Sequence, residues 1–411
     1  MAKPLLPLGL ATVLLCLLLR TVSGVKLNEL FVVHAGATKS GCDTYFNQKN
    51  GDGTLDDWLE EINYSISEAI DKIDQKYNRE KSIRMAIQTF FGIPNRGRAR
   101  GDIKVKVDNL SANLKLVLDF FSFEKIKADG PSKGQPIYPL NGDRFLFCGS
   151  DFLEEKKKDT VARDWKDNEI KDDKGKAVTI ADVTAYANAL KADPNNKAWW
   201  SGDHTPVKGY YFSTTGGKYC DPATKNLGLT AAIQELEAGP SGQPTLRKPV
   251  EIVVLCEESF TNTKQPDSYR IGDAKIKAGT NLADVVPKSA TLLHEAFHVL
   301  FGVDDGNNPA NPIGFLQGDE IYDLAACIQL ALDDPEKARR NPENYVFFLT
   351  QMYYLFGKPS GTDPSSIDTN WDFAPIKKGN TFVAYGYYTE RSSQTISHAI
   401  SSPVFMTSMP K

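Results

Sequence analysis

The chain has 411 residues, with 48 Lys and Arg against 52 Asp and Glu, a net charge of −4 with histidine neutral, and 41% hydrophobic residues. This mildly acidic balance argues against nucleic acid as a partner. Beyond the first two dozen residues no apolar run approaches the roughly 18 residues that a membrane-crossing helix needs, so a soluble chain with no membrane partner is expected.

Residues 1–24 hold Lys3, an apolar run over 5–19 and the small residues Val22, Ser23 and Gly24. That order describes a secretory signal peptide cut before Val25, and predicts a secreted, extracellular protein. Losing Lys3 and Arg20 would take the basic count from 48 to 46 against 52 acidic residues, a charge near −6. Of six cysteines, Cys16 leaves with the signal and five remain. Two disulfides and one thiol are the simplest accounting in an oxidising compartment, with Cys327 the thiol because it lies in an Ala- and Leu-rich helical run. Spacing alone does not pair the others. The sequons at Asn63 and Asn109 are compatible with glycosylation on such a route.

Along the mature chain, residues 30–33 read as a short strand. Between residues 55 and 91, Leu59, Ile62, Ile66, Ile70 and Ile73 recur at three or four and predict packed helices, with Asp56 and Asp57 at an N-terminus. The alternation Lys104-Val105-Lys106-Val107 predicts a strand, and residues 114–123 read as strand or helix. Residues 150–205 turn strongly charged with both signs mixed, the pattern of a solvated surface insertion. Val250 to Cys256 is an apolar run expected to form a sheet strand. A Gly-, Asn- and Pro-rich loop spans 304–318, followed by helices over about 319–332 and 342–355. The Ser-, Thr-, Tyr- and Pro-rich residues 358–411 are expected to be an irregular extension.

The sharpest signal is His294-Glu295-Ala296-Phe297-His298. A helix turns about 100° per residue, so His294 and His298 face the same way one turn apart and can bind one ion. In the H-E-x-x-H arrangement of metalloproteases, the Glu takes a proton from the attacking water. Ala290 to Leu293 and Val299 to Phe301 give the helix an apolar body, and Gly302 ends it.

These residues resemble the aspzincin metallopeptidases, the deuterolysin and peptidyl-Lys metalloendopeptidase group secreted mainly by fungi. That family follows H-E-x-x-H with G-T-x-D-x-x-Y-G, and Asp319-Glu320-Ile321-Tyr322 supplies a D-x-x-Y core here. Further likenesses are Asn341-Pro342-Glu343-Asn344-Tyr345-Val346-Phe347-Phe348, Val254 to Phe260, Gly41-Cys42 and Phe90-Phe91-Gly92, so the resemblance spans most of residues 30–356. Leu316 and Gln317 stand where the family has Gly-Thr, and Asp323 where it has Gly.

The resemblance implies an α+β fold: a zincin-like domain over 25–357, mainly helical with a small sheet beside the zinc helix. It implies one zinc ion held by His294, His298 and Asp319, with Glu295 as general base and Tyr322 stabilising the oxyanion. Asp304 or Asp305 from the loop are alternatives for the third ligand, as is Glu320, which would suit the other large zincin group, where a Glu follows the second His by about 20 residues. It also implies the pairs Cys42 to Cys148 and Cys220 to Cys256. The expected function is zinc-dependent hydrolysis of internal peptide bonds in proteins or peptides. The alternative is a secreted zinc-binding or host-interaction protein on the same scaffold without turnover.

Overall fold

The computed structural model describes residues 27–46 apart from 37, 55–122, 144–304 apart from 240 and 241, 315–316, 320–357, 371–378 and 381–388. The signal segment, residues 305–314 and residues 317–319 lie outside them. The fold is mixed α/β. The expectation of a small sheet is corrected: seven strands run in the order β1-β2-β7-β6-β5-β4-β3. These are β1 (Val32–Val33), β2 (Arg144–Phe147), β3 (Glu154–Lys156), β4 (Lys197–Trp200), β5 (Tyr210–Ser213), β6 (Gly228–Ala238) and β7 (Pro244–Leu255). The first three in that order are parallel to one another, and the rest join antiparallel.

Helices cover one face. α1 (Leu55–Lys76) buries Leu59, Ile62, Ile66, Ile70 and Ile73, the stripe expected from its spacing, with Asp56 and Asp57 in its first turn. Burying such a side chain contributes about 1.5–3 kcal/mol. α2 (Lys81–Phe91) ends at Gly92, whose φ of 62° and close approach to the Ala331 carbonyl leave no room for a Cβ. α3 (Gly101–Phe121) corrects the strand expected at 104–107. Its buried residues Val107, Leu110, Leu114, Val117 and Phe121 recur at three and four, and this longer period overrides the four-residue alternation.

The sheet alternates as a two-sided sheet must. Leu146, Val253 and Leu255 join the helical core, while Phe147, Ile252 and Val254 face the other side. There they meet Phe152, Leu153 and Trp199, from the charged stretch expected to be a solvated insertion, and Val207 just beyond it. That stretch instead supplies β3, α4 (Thr184–Ala192) and β4 and covers the far face. Its charges stay at the surface: Lys157, Lys158 and Asp159 are exposed, while Trp199 and Trp200 are buried.

The His294–His298 motif lies on α5 (Ala290–Phe301), which packs on β6, β7 and α7 (Pro342–Phe356). Its start is anchored by Ser289 Oγ donating to Glu61 Oε2 of α1 at 2.6 Å. α6 (Leu324–Asp333) begins later than expected, and Asp323 caps it by accepting from the Ala326 amide. Tyr322 therefore precedes the helix. Two short parallel strands, β8 (Val303–Asp304) and β9 (Phe315–Leu316), close the loop after α5. Where an irregular C-terminal extension was expected, β10 (Trp371–Lys378) and β11 (Thr381–Tyr388) form an antiparallel hairpin against α7.

Disulfides join Cys42 to Cys148 and Cys220 to Cys256, and Cys327 is a buried free thiol. Asn109 is exposed, whereas the Asn63 amide nitrogen donates to the Phe121 carbonyl at 3.1 Å.

Candidate metal centre

α5 is apolar on nearly every side, and all of Ala290 to Leu300 are buried. A helix this buried carries polar side chains only where each has a partner or a task. His294 and His298 project one turn apart with their Nε2 atoms 3.4 Å from each other. A carboxylate closes the triangle: Glu320 Oε1 lies 3.0 Å from His298 Nε2, and Oε2 lies 3.4 Å from His294 Nε2. An ion with metal–ligand bonds near 2.1 Å and tetrahedral angles spaces its donors about 3.4 Å apart, so the observed separations fit a single small cation. Among the described residues this is the one group of His, Cys, Asp and Glu that could hold a metal.

The expected third ligand Asp319 lies outside the described residues, as does Asp305, and of Asp304 only the backbone is described. The carboxylate brought to the imidazoles is that of Glu320, 22 residues after His298 in the sequence.

The electrostatics favour a cation. Burial by itself would lower the His294 pKa, but hydrogen bonds to Glu320 and Glu343 outweigh it and raise it to about 10. The Glu320 carboxyl is desolvated, yet the two imidazoles hold it well below the ordinary carboxylate range. Three carboxylates, Glu295, Glu320 and Glu343, thus converge on two rings that are neutral when unprotonated, and the cluster gathers positive charge. The His298 Nδ1 atom is buried without a hydrogen-bond partner among the described residues.

Glu295, next to His294, is 5% exposed. Thr230 of β6 donates to its Oε2 at 2.7 Å and lies 3.2 Å from its backbone carbonyl. Burial raises its pKa, offset by both histidines and by Thr230. β6 passes so close here that a Cβ on Gly228 would sit 2.6 Å from Glu295 Oε1. The site opens on a cleft that Tyr219, Gly228, Thr291, His294, Glu295 and Tyr322 help to line. Tyr219 holds the wall by donating to the Gly228 carbonyl at 2.7 Å, and the adjacent Cys220–Cys256 bridge ties that wall to the end of β7. Tyr322 is 61% exposed at the rim, stacks on the His294 ring, and donates its phenol proton to Glu320.

Residues that carried no recognisable sequence signal complete the site. Thr230 and Gly228 sit in an unremarked strand. Glu343, which meets His294 Nδ1 at 3.1 Å, lies inside the Asn341–Phe348 stretch that resembles aspzincins, and that likeness is the one sequence pointer to it. No protein-family model, curated protein or solved structure matches this chain. The likeness to zincins therefore rests on the residues quoted above.

Proposed function

We propose that this chain is a secreted zinc-dependent endopeptidase. The observation that carries the reading is Glu295: two imidazoles and Glu320 suffice to hold an ion, yet a further buried carboxylate lines the same cleft. His2Glu is a donor set suited to zinc, which when bound acts as a Lewis acid toward water and the attacked carbonyl. Glu295, with its pKa raised by burial and its orientation fixed by Thr230, takes a proton from the attacking water and passes it to the leaving amine. The Tyr322 phenol at the rim leaves Glu320 and donates instead to the carbonyl oxygen as charge develops on it. Ligation through Glu320 is the pattern of zincins that use a distant Glu, and the reaction class is the same as with Asp319. Two disulfides agree with an oxidising compartment, and no helix among the described residues is long and apolar enough to cross a membrane.

The test is mass-spectrometric mapping of cuts made in a denatured protein mixture by zinc-loaded wild type and by Glu295→Gln. Internal cuts from wild type alone support the reading. Zinc held by both proteins with no cut from either would leave a zinc-binding protein without turnover.

A further inference from the structure

We propose that Asn341 is the positioning residue of the metal centre, holding the backbone from which Glu320 reaches the two histidines. The proposal rests on the reading of Glu320 as a ligand. Glu320 precedes α6 in an irregular segment, so no helix or strand of its own fixes its direction. Two side chains hold the backbone beside it: the Cys327 thiol donates to the Ile321 carbonyl at 3.2 Å, and one side-chain amide makes two bonds. The Ile321 amide donates to Asn341 Oδ1 at 3.0 Å, and Asn341 Nδ2 donates to the Ile321 carbonyl at 2.9 Å. Both backbone groups of the residue after Glu320 are thereby gripped by a single planar group that is fully buried. An amide bonded at both ends cannot turn without losing both bonds.

The amide is itself braced. Asn341 Nδ2 also donates to Asn344 Oδ1 at 2.7 Å, and Asn344 Nδ2 donates to the carbonyls of Phe90 in α2 and Cys327 in α6. The chain of bonds therefore runs from two core helices to the backbone beside Glu320. Asn341 occupies the N-cap of α7, where an Asn side chain normally bonds its own helix and contributes about 1 kcal/mol. It makes no such bond. Pro342 follows at the first helical position, where its missing N–H removes one of the donors a cap would satisfy. Asn341 thus forgoes local capping for a tertiary contact with the ligand segment. Two residues on, Glu343 bonds His294 Nδ1, so one turn of chain governs two of the three ligands.

A merely structural Asn341 would alter stability and leave zinc affinity alone. The experiment is zinc binding by chelator competition, on apoproteins shown to be folded by near-ultraviolet circular dichroism, for wild type, Asn341→Ala, Glu320→Gln and Thr350→Val. The last removes a buried hydroxyl that bonds the Val346 carbonyl on the same helix, away from the metal centre. Asn341→Ala is expected to weaken zinc binding about 10- to 100-fold, the range for partners that orient ligands, and Thr350→Val to leave it unchanged. Wild-type affinity in Asn341→Ala beside weakened Glu320→Gln would overturn the positioning role alone. Wild-type affinity in Glu320→Gln would remove the ligand assignment beneath it. Should Asn341→Ala not fold, hydrogen exchange in wild-type apoprotein decides: a protected Ile321 amide supports the proposal, and one exchanging at the unprotected rate overturns it.

Discussion

Glu343 lies 3.1 Å from Nδ1 of His294, the nitrogen opposite the one that faces Glu320 and His298. If Nε2 is the metal-facing atom, Nδ1 carries the proton and donates it to the carboxylate, which fixes both tautomer and ring angle. Glu343→Ala is expected to raise the zinc dissociation constant about 10- to 100-fold, and Glu343→Gln, which keeps an acceptor but not the charge, to raise it less. Chelator competition measures both. Equal affinities in the two variants and wild type would mean that the contact does not orient the ligand.

Glu320→Gln and Asp319→Ala separate the two neighbouring carboxylates. With Glu320 as ligand, its replacement lowers the zinc-to-protein ratio after dialysis, and the zinc-dependent rise in melting temperature shrinks accordingly. Asp319→Ala keeps wild-type metal content. The reverse pattern would return the third ligand to Asp319.

Gly228→Ala probes the approach of β6 to Glu295. The added methyl would lie 2.6 Å from Glu295 Oε1 and 3.0 Å from Thr291 Cγ2, so the carboxylate must move away from Thr230. Stability changes by about 1 kcal/mol or less, as for a Gly-to-Ala replacement within a strand. A misplacement of about 1 Å costs on the order of a hundredfold in rate, so kcat should fall far more than the melting temperature. An unchanged kcat would show that Glu295 needs no such precision.

The sequence disclosed part of the site because that part is local. His294, Glu295 and His298 share one helical turn, and 100° per residue determines their relation without reference to the rest of the fold. Glu320 and Asp319 are adjacent acids after a long loop, and the backbone that brings Glu320 to the imidazoles is held by Asn341, twenty residues beyond Ile321. No periodicity encodes that. Residues 104–107 misled because four alternating residues outweighed the longer stripe through Val107, Leu110 and Leu114. In residues 150–205 no charged residue is buried, but Trp199, which packs on the sheet, and Trp200, which packs in a second small core with Ala162, Ile170 and Tyr210, are hidden among the charges. The strand at Val250 to Cys256 was legible because both its faces are buried, one against the helices and one against Phe152 and Trp199.

The C-terminal hairpin carries a pH dependence of its own, remote from the metal centre. Asp372 of β10 is 2% exposed, and it accepts from Gln351 of α7 at 2.6 Å, from the Phe373 amide at 2.9 Å and from the Tyr387 hydroxyl at 2.9 Å. Desolvation raises its pKa despite those bonds. A carboxyl whose folded pKa lies above its unfolded value of about 3.9 binds more protons in the folded state between the two values, so stability falls as pH rises across that window. Its contribution is complete below the unfolded pKa and is lost as pH rises through the folded one. Asp372→Asn keeps an acceptor for Gln351 and the Phe373 amide, turns the contact with Tyr387 into one in which the Asn amide donates to the hydroxyl, and removes the charge, so it should flatten the decline in melting temperature on going from about pH 4 upward, with the largest gain over wild type at neutral pH. Melting curves of the two apoproteins across that range check this, and parallel profiles would place the pH dependence elsewhere.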